Sequence, residues 1–133
     1  MPVPSMTAST DQGQPTPAEV DAMRELLRSF PPGGAAGPSG LRPKHLADIV
    51  GTADTAAVSA LLEALVRFAK AATGGELHPA AVPYLCAARL VPLKKKDGGV
   101  RPIAVGECLR RVAAKWLIRS PAAQGAMSAV LPA

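Results

Sequence analysis

The sequence predicts an α+β fold that is mainly helical and contains one β-hairpin. Helical periodicity supports the first part, because apolar residues recur at helical spacing in separate segments of the chain. Two apolar runs, 90–93 and 100–105, flank three lysines and an Asp-Gly-Gly sequence, which predicts the hairpin. Apolar residues form 48% of the 133, so a chain with room for one domain can build a core.

The first helix is predicted to begin after Thr16. The segment from Thr16 to Glu19, TPAE, is a capping box with proline at the first helical position. Residues 1–15 before it are rich in Pro, Ser, Thr and Gln and are predicted to be disordered. One buried face is expected, formed by Val20, Met23, Leu26, Leu27 and Phe30. The two prolines at 31–32 should end this helix.

Two further helices are predicted after a glycine-rich loop. Pro43 opens a short helix over 44–50, and Asp54 or Thr52 is expected to cap a longer helix that ends at 74–75, Gly-Gly. The apolar stripe of the longer helix consists of Val58, Leu61, Leu62, Leu65 and Phe68. The loop, GGAAGPSGL, lacks both the ending and the preceding strand of a P-loop, and it lacks the spacing of a nucleophile elbow.

The length of the hairpin loop determines which charged side chains share a face. A brief apolar turn or helix over 80–86 leads into the hairpin. With a two-residue turn, either Asp-Gly or Gly-Gly, strand alternation places Lys94, Lys96 and Arg101 together. Lys95 would then point to the opposite face, and a three-residue loop would reverse this parity. The cations predict contacts with a polyphosphate or nucleic-acid backbone; the alternative is that the lysines only protect an edge strand from aggregation.

A last helix is predicted to begin at 106–107, Gly-Glu, and to extend to about residue 119. Its inward residues are Leu109, Val112 and Trp116, and its outer residues are Arg110, Arg111, Lys115 and Arg119. We interpret Trp116 as a core residue rather than a platform for base stacking. Pro121 should end the helix, and the tail, 120–133, contains no charged residue.

Charge is distributed unevenly along the chain. The formal net charge is +5, but residues 89–119 alone have nine basic side chains against two acidic ones, a local net charge of +7. The rest of the chain is therefore slightly acidic. This polarity predicts a polyanionic partner for the second half of the chain, and binding that weakens steeply with salt.

Few residues have the chemistry of a metal or catalytic site. Cys86 and Cys108 lie in apolar surroundings, and without a secretory leader they are predicted to be reduced thiols of an intracellular protein, cytoplasmic or nuclear. No apolar run reaches membrane-spanning length, so no membrane association is predicted. His45 and His78 are far apart and do not form a zinc set with these cysteines. His45 is interpreted as a partly buried helix residue.

The order of these segments resembles the N-terminal fingers region of reverse transcriptases, closest to those of non-LTR retrotransposons. Two blocks have this resemblance: PPGGAAGPSGLRPKHL and LVPLKKKDGGVRPIAVGECLRRVAAKWL. In that family a Gly-Pro-Asp-Gly-Leu/Ile signature precedes a Lys-x-Gly-x-Arg-Pro-Ile hairpin that closes over the incoming nucleotide. The resemblance covers roughly 19–117 and implies a partial fingers subdomain of a right-hand polymerase over 16–119. It implies that 120–133 begins a truncated palm-proximal segment.

The resemblance implies a nucleotide-binding role for the hairpin. Arg101 matches the arginine that contacts the triphosphate, and Lys94, Lys95 or Lys96 matches the companion lysine. Matching from the start of the lysine run favours Lys95, whereas the parity of a two-residue turn favours Lys94 or Lys96, and we predict that Lys96 pairs with Arg101. Contacts with the template backbone are implied for Arg42, Lys44, Arg110 and Arg111, with a solvated helix face as the alternative. The implied partners are an RNA or DNA template-primer, a dNTP and the missing palm domain.

Two departures from the family pattern affect the expected activity. Ser39 stands where the family usually has aspartate. The family's chemistry also needs two Mg²⁺ ions held by palm aspartates, and this sequence has no Asp or Glu after Glu107. We therefore predict no catalytic residue and no metal or cofactor site in this chain, Mg²⁺ being expected only for the complete enzyme. The alternative function is a non-enzymatic basic helical module that binds nucleic acid or a protein.

Overall fold

The fold is mixed helix and strand, as the sequence predicts. We describe it from a computed structural model that covers residues 13–52 and 55–130. The elements in chain order are α1 (Pro17–Arg28), α2 (Pro43–Val50), α3 (Ala56–Thr73), α4 (Val82–Cys86), β1 (Ala88–Lys94), β2 (Val100–Gly106), α5 (Cys108–Arg119) and α6 (Pro121–Val130). Residues 1–12, most of the segment predicted to be disordered, lie outside this coverage.

The start of α1 confirms the predicted capping box. The Thr16 Oγ1 accepts a hydrogen bond from the Glu19 amide at 3.2 Å, and the Glu19 carboxylate accepts one from the Thr16 amide at 3.1 Å. The carboxylate of Glu19 also pairs with the Lys70 ammonium of α3. These contacts with Thr16 and Lys70 lower the pKa of Glu19.

The predicted cap of α3 is wrong. Thr55 caps this helix, because its Oγ1 accepts a hydrogen bond from the Val58 amide at 3.3 Å. The Thr52 hydroxyl instead donates to the Ile49 carbonyl at 2.7 Å, at the end of α2. The other predicted cap, Asp54, lies outside the described residues.

The core lies between α1, α2, α3 and α5. Its fully buried side chains include Met23, Leu26, Leu27, Val50, Leu62, Val66, Cys108 and Val112. Part of each predicted stripe therefore forms the core. The stripe residues that are only partly buried and pack against the core are Val20, Phe30, Leu61, Leu109 and Trp116, and Phe68 is also only partly buried. Helices of this length are stabilised mainly by such packing rather than by helix propensity.

The hairpin extends away from this core. β1 and β2 form an antiparallel two-stranded sheet in which most residues are exposed and none is fully buried, and Leu90 and Val100 are 73% and 61% exposed. The hairpin therefore has apolar surface that the rest of the described chain does not cover.

The tail after α5 forms a helix that the sequence analysis did not predict. Ser120 has an extended backbone, as residues before proline prefer, and Pro121 begins α6. Within the described ranges, no helix is both long and apolar enough to span a membrane.

Candidate functional site

The tip of the hairpin is a three-residue loop, Lys96–Gly98. The Lys95 amide donates to the Gly99 carbonyl at 2.7 Å, and the Gly98 amide donates to the Lys95 carbonyl at 3.2 Å. Gly98 has a φ of 90°, in the left-handed region that closes loops of this length. The Asp97 Oδ1 accepts a hydrogen bond from the Gly99 amide at 2.9 Å, which fixes the loop further.

The three-residue loop reverses the predicted parity of the charged side chains. Leu93 is paired with Arg101 and Lys94 with Val100. Because side chains alternate along a strand, Lys95 lies on the same face as Arg101, whereas Lys94 lies on the opposite face. The two-residue turn was therefore wrong, and so was the grouping of Lys94 and Lys96 with Arg101 on one strand face, because Lys94 lies on the opposite face and Lys96 lies in the loop.

The basic side chains near the tip of the hairpin line one shallow recess, which we call the hairpin recess. Its volume is about 490 Å³, and its lining residues are Leu93, Lys94, Lys95, Lys96, Asp97, Arg101 and Ile103. All four basic side chains are exposed. Asp97 is the acidic residue of the loop, and within the described part of the chain no carboxylate forms an ion pair with Lys95, Lys96 or Arg101. The recess therefore has an uncompensated positive charge that favours phosphate oxygens.

The base of the hairpin is fastened to the glycine-rich loop by a contact that we call the Ser39–Glu107 latch. The Ser39 amide donates to Glu107 Oε1 at 2.6 Å, and the Ser39 hydroxyl donates to Oε2 at 2.8 Å. Glu107 directly follows β2, occupies the N-cap position of α5 without a capping hydrogen bond from its side chain, and is only 7% exposed. The two hydrogen bonds from Ser39, followed by the charge of Arg111, lower the pKa of Glu107.

Close backbone packing accompanies the latch. A Cβ atom added at Gly37 would lie 2.7 Å from the Gly106 carbonyl oxygen and 2.9 Å from Glu107 Cα. Both neighbours are backbone atoms, so no side-chain movement could relieve the contact. Gly37 is therefore required by proximity, while Gly40, with a φ of 83°, is suited to the turn itself.

The four residues predicted to contact the template have different surroundings. The Arg42 Nε donates to the Gly34 carbonyl at 2.9 Å, and Arg111 Nη2 donates to the Ala35 carbonyl at 2.7 Å. Arg111 was predicted to lie on the outer face of α5, but it is partly buried, and its Nε is fully shielded from solvent. Lys44 forms an exposed ion pair with Asp48 at 2.8 Å, and Arg110 is exposed. Two of the four thus hold the glycine-rich loop.

The histidines and cysteines do not assemble into a reactive group. His45 is exposed rather than partly buried, and its Nδ1 accepts a hydrogen bond from the Arg42 amide at 3.1 Å. Cys86 is exposed and Cys108 is buried, and burial raises the pKa of the Cys108 thiol. In the two described ranges, no three His, Cys, Asp or Glu side chains are arranged to hold a metal ion.

Comparison with known proteins identifies no relative of this chain. No family model, curated protein or solved structure matches this chain significantly. Functional inference therefore rests on the sequence motifs and on the geometry of the hairpin recess. Sequence reasoning singled out Ser39 only as a departure from a motif, and it missed its link to Glu107, because 68 positions separate the two residues.

Proposed function

We propose that this chain is a fingers region of an RNA-directed DNA polymerase of a retroelement, and that its hairpin binds the triphosphate of an incoming nucleotide. The observation that supports this best is the grouping of Lys95, Lys96 and Arg101 around one recess without a carboxylate partner among the described residues. The sequence resemblance supplies the polymerase context. The geometry supplies a site whose charge and shape suit a polyphosphate.

The side chains of the recess have distinct roles in this proposal. The guanidinium of Arg101 can donate two parallel hydrogen bonds to one phosphate, whereas the ammonium groups of Lys95 and Lys96 act as adaptable point charges. Leu93 and Ile103 lie on the same face as Arg101 and provide an apolar floor. Because the hairpin extends from the helices, these groups can approach a ligand held by another domain.

Lys95 replaces Lys96 as the partner of Arg101 in this assignment. Lys95 directly continues the face of β1 that Leu93 shares with Arg101, while Lys96 lies in the loop. Lys96 still lines the recess and can contribute to its charge. A template contact is proposed for Arg110, since Arg42 and Arg111 already bind carbonyl groups of the glycine-rich loop and Lys44 is paired with Asp48.

The proposed contribution is binding, not phosphoryl transfer. A polymerase reaction needs Mg²⁺ held by carboxylates, and among the residues that the structure describes no such group of side chains is arranged to hold a metal ion. The sequence has no Asp or Glu after Glu107, and both oxygens of Glu107 accept hydrogen bonds from Ser39. We therefore derive no catalytic step for this chain.

The proposal is tested by titrating the chain with a deoxynucleoside triphosphate and following the amide NMR signals of Gly98 and Gly99. We expect binding that weakens with salt, and a loss of about tenfold in affinity for Arg101→Ala. Arg89→Ala is the matched control, because Arg89 lies on the same face but at the far end of β1, about 13 Å from Leu93. It should change the affinity less than about twofold.

The same titration distinguishes the alternative function. Salt-sensitive RNA binding that is unaffected by Arg101→Ala, with no response to the triphosphate, would identify a basic nucleic-acid-binding module unrelated to polymerases. A nucleoside monophosphate that binds as tightly as the triphosphate would also contradict the proposal, because the three cations would then not distinguish three phosphate groups from one.

A further inference from the structure

A second concave site lies at the other end of α5 from the hairpin. The groove has a volume of about 410 Å³ and is formed by α1, α3, α5 and the start of α6. Its apolar lining residues are Ala18, Ala22, Leu26, Trp116 and Pro121. This volume is within the range of small-ligand sites. We call this site the Trp116 groove.

The charged residues of the Trp116 groove leave an excess of positive charge. Glu19 and Lys70 pair with each other, so their charges largely cancel. Arg119 lines the groove, is exposed and has no carboxylate partner among the described residues. The sequence of α6 contains no charged residue, so this wall adds nothing to offset Arg119. One turn earlier, the Lys115 ammonium lies 4.1 Å from the centre of the Phe30 ring.

We propose that the Trp116 groove binds single-stranded nucleic acid, with one base against the indole of Trp116 and an adjacent phosphate at Arg119. An aromatic side chain beside a cation is the arrangement that binds unpaired bases without sequence preference. Trp116 was interpreted from the sequence as a core residue only. It does pack against the core, but it is only partly buried and also lines the groove, so part of the ring is accessible to a base.

This inference goes beyond the hairpin function and does not depend on it. α5 has 12 residues and is therefore about 18 Å long, with the hairpin at one end and Arg119 at the other. The net charge of +7 over residues 89–119 favours a polyanion as the occupant. The indole of Trp116 in the groove favours nucleic acid over an acidic peptide, because an unpaired base can stack on an aromatic ring. A strand bound at the Trp116 groove would thus remain within a positive field.

The experiment uses the intrinsic fluorescence of Trp116, the only tryptophan of the chain. An oligouridylate of about ten nucleotides is the probe, and we expect it to quench this fluorescence in a saturable manner. Arg119→Ala should weaken the affinity about tenfold, because a phosphate contact is lost. Arg28→Ala is the matched control: this arginine is also exposed but does not line the groove, and its loss should change the affinity less than about twofold.

Two further variants separate this site from the hairpin and from effects on folding. Ala22→Leu adds bulk to an exposed position that lines the groove, and it should abolish quenching while the melting temperature stays unchanged. Arg101→Ala should leave quenching intact, even if the hairpin fails to bind triphosphate. The inference is overturned if the oligonucleotide does not quench, if Arg28→Ala and Arg119→Ala weaken binding equally, or if an acidic peptide binds the groove and the oligonucleotide does not.

Discussion

The helical core and the hairpin use their residues in opposite ways. In the core, Leu62 and Val66 are completely buried, and the charged residues at its edge, such as Glu19 and Lys70, are paired. In the hairpin, Leu90 and Val100 are largely exposed, and the cations around the recess have no acidic partner among the described residues. The core can therefore be stabilised by its own contacts, whereas the hairpin presents charged and apolar groups to solvent, where a ligand or a partner can bind them.

This difference indicates where function is concentrated. A two-stranded hairpin is marginal by itself, so its position depends on the attachment at its base. That attachment is the Ser39–Glu107 latch together with the close packing of Gly37 on Gly106. The latch thus joins the glycine-rich loop to the residue that directly follows β2.

The largest effect is expected from removing a core side chain. Leu62→Ala leaves a cavity at a completely buried position and should lower the free energy of unfolding by about 2–5 kcal/mol. Leu90→Ala makes the same chemical change at a position that is 73% exposed and should cost less than about 0.5 kcal/mol. Urea denaturation of both variants measures the contrast, and similar losses would show that the hairpin packs as tightly as the core.

A smaller loss of stability is expected when the latch is weakened, and this loss should depend on pH. Glu107→Gln removes the charge that strengthens both hydrogen bonds from Ser39, and it should cost about 1–3 kcal/mol near neutral pH. Because the pKa of Glu107 is lowered in the folded state, its stabilisation is present above the unfolded pKa, about 4.3, and is lost as the pH falls through the folded value.

The measurement is the difference in unfolding free energy between the wild type and Glu107→Gln across this pH range. The difference should be constant near neutral pH and should shrink below about pH 4. Glu19, whose pKa is also lowered, is present in both proteins and cancels from the difference. A difference that does not change with pH would mean that the charge of Glu107 does not contribute to the latch.

The close packing at the latch gives a further prediction, whose expected loss of stability is similar to or smaller than that of Glu107→Gln. Gly37→Ala forces a Cβ against two backbone atoms and should cost about 1–3 kcal/mol through displacement of the loop. Gly33→Ala is the control, since no atom lies within 4 Å of its added Cβ and its φ is not left-handed. Thermal melting of both variants tests this, and equal melting temperatures would contradict the close contact.

Local sequence signals predicted much of the fold. The capping box at Thr16, the stripe that includes Leu62 and the end of α3 at Gly74 all depend on neighbours within a turn or two, and the structure confirms them. The hairpin was predicted for the same reason. Its loop length was not, because Asp-Gly-Gly is compatible with loops of two or three residues and the backbone hydrogen bonds decide between them.

Contacts between distant residues were beyond sequence reasoning. Arg111 was placed on the outer face of α5 by periodicity, but it turns to the carbonyl of Ala35, 76 positions away. Ser39 and Glu107 meet in the same manner, and nothing in the spacing of either residue indicates the other. The Trp116 groove also requires α6. This helix was not predicted, because its sequence has no charge pattern and no stop signal.

The most direct test of the account is a comparison of Lys95→Ala with Lys94→Ala in binding a deoxynucleoside triphosphate. The two lysines are adjacent, both are exposed and both line the hairpin recess, but only Lys95 shares a strand face with Arg101. NMR titration should show that Lys95→Ala weakens binding about tenfold, whereas Lys94→Ala, which removes a charge from the opposite strand face, weakens it only about threefold. Equal losses in the two variants would mean that the hairpin is only a diffuse positive charge, and this would contradict a nucleotide site on one face.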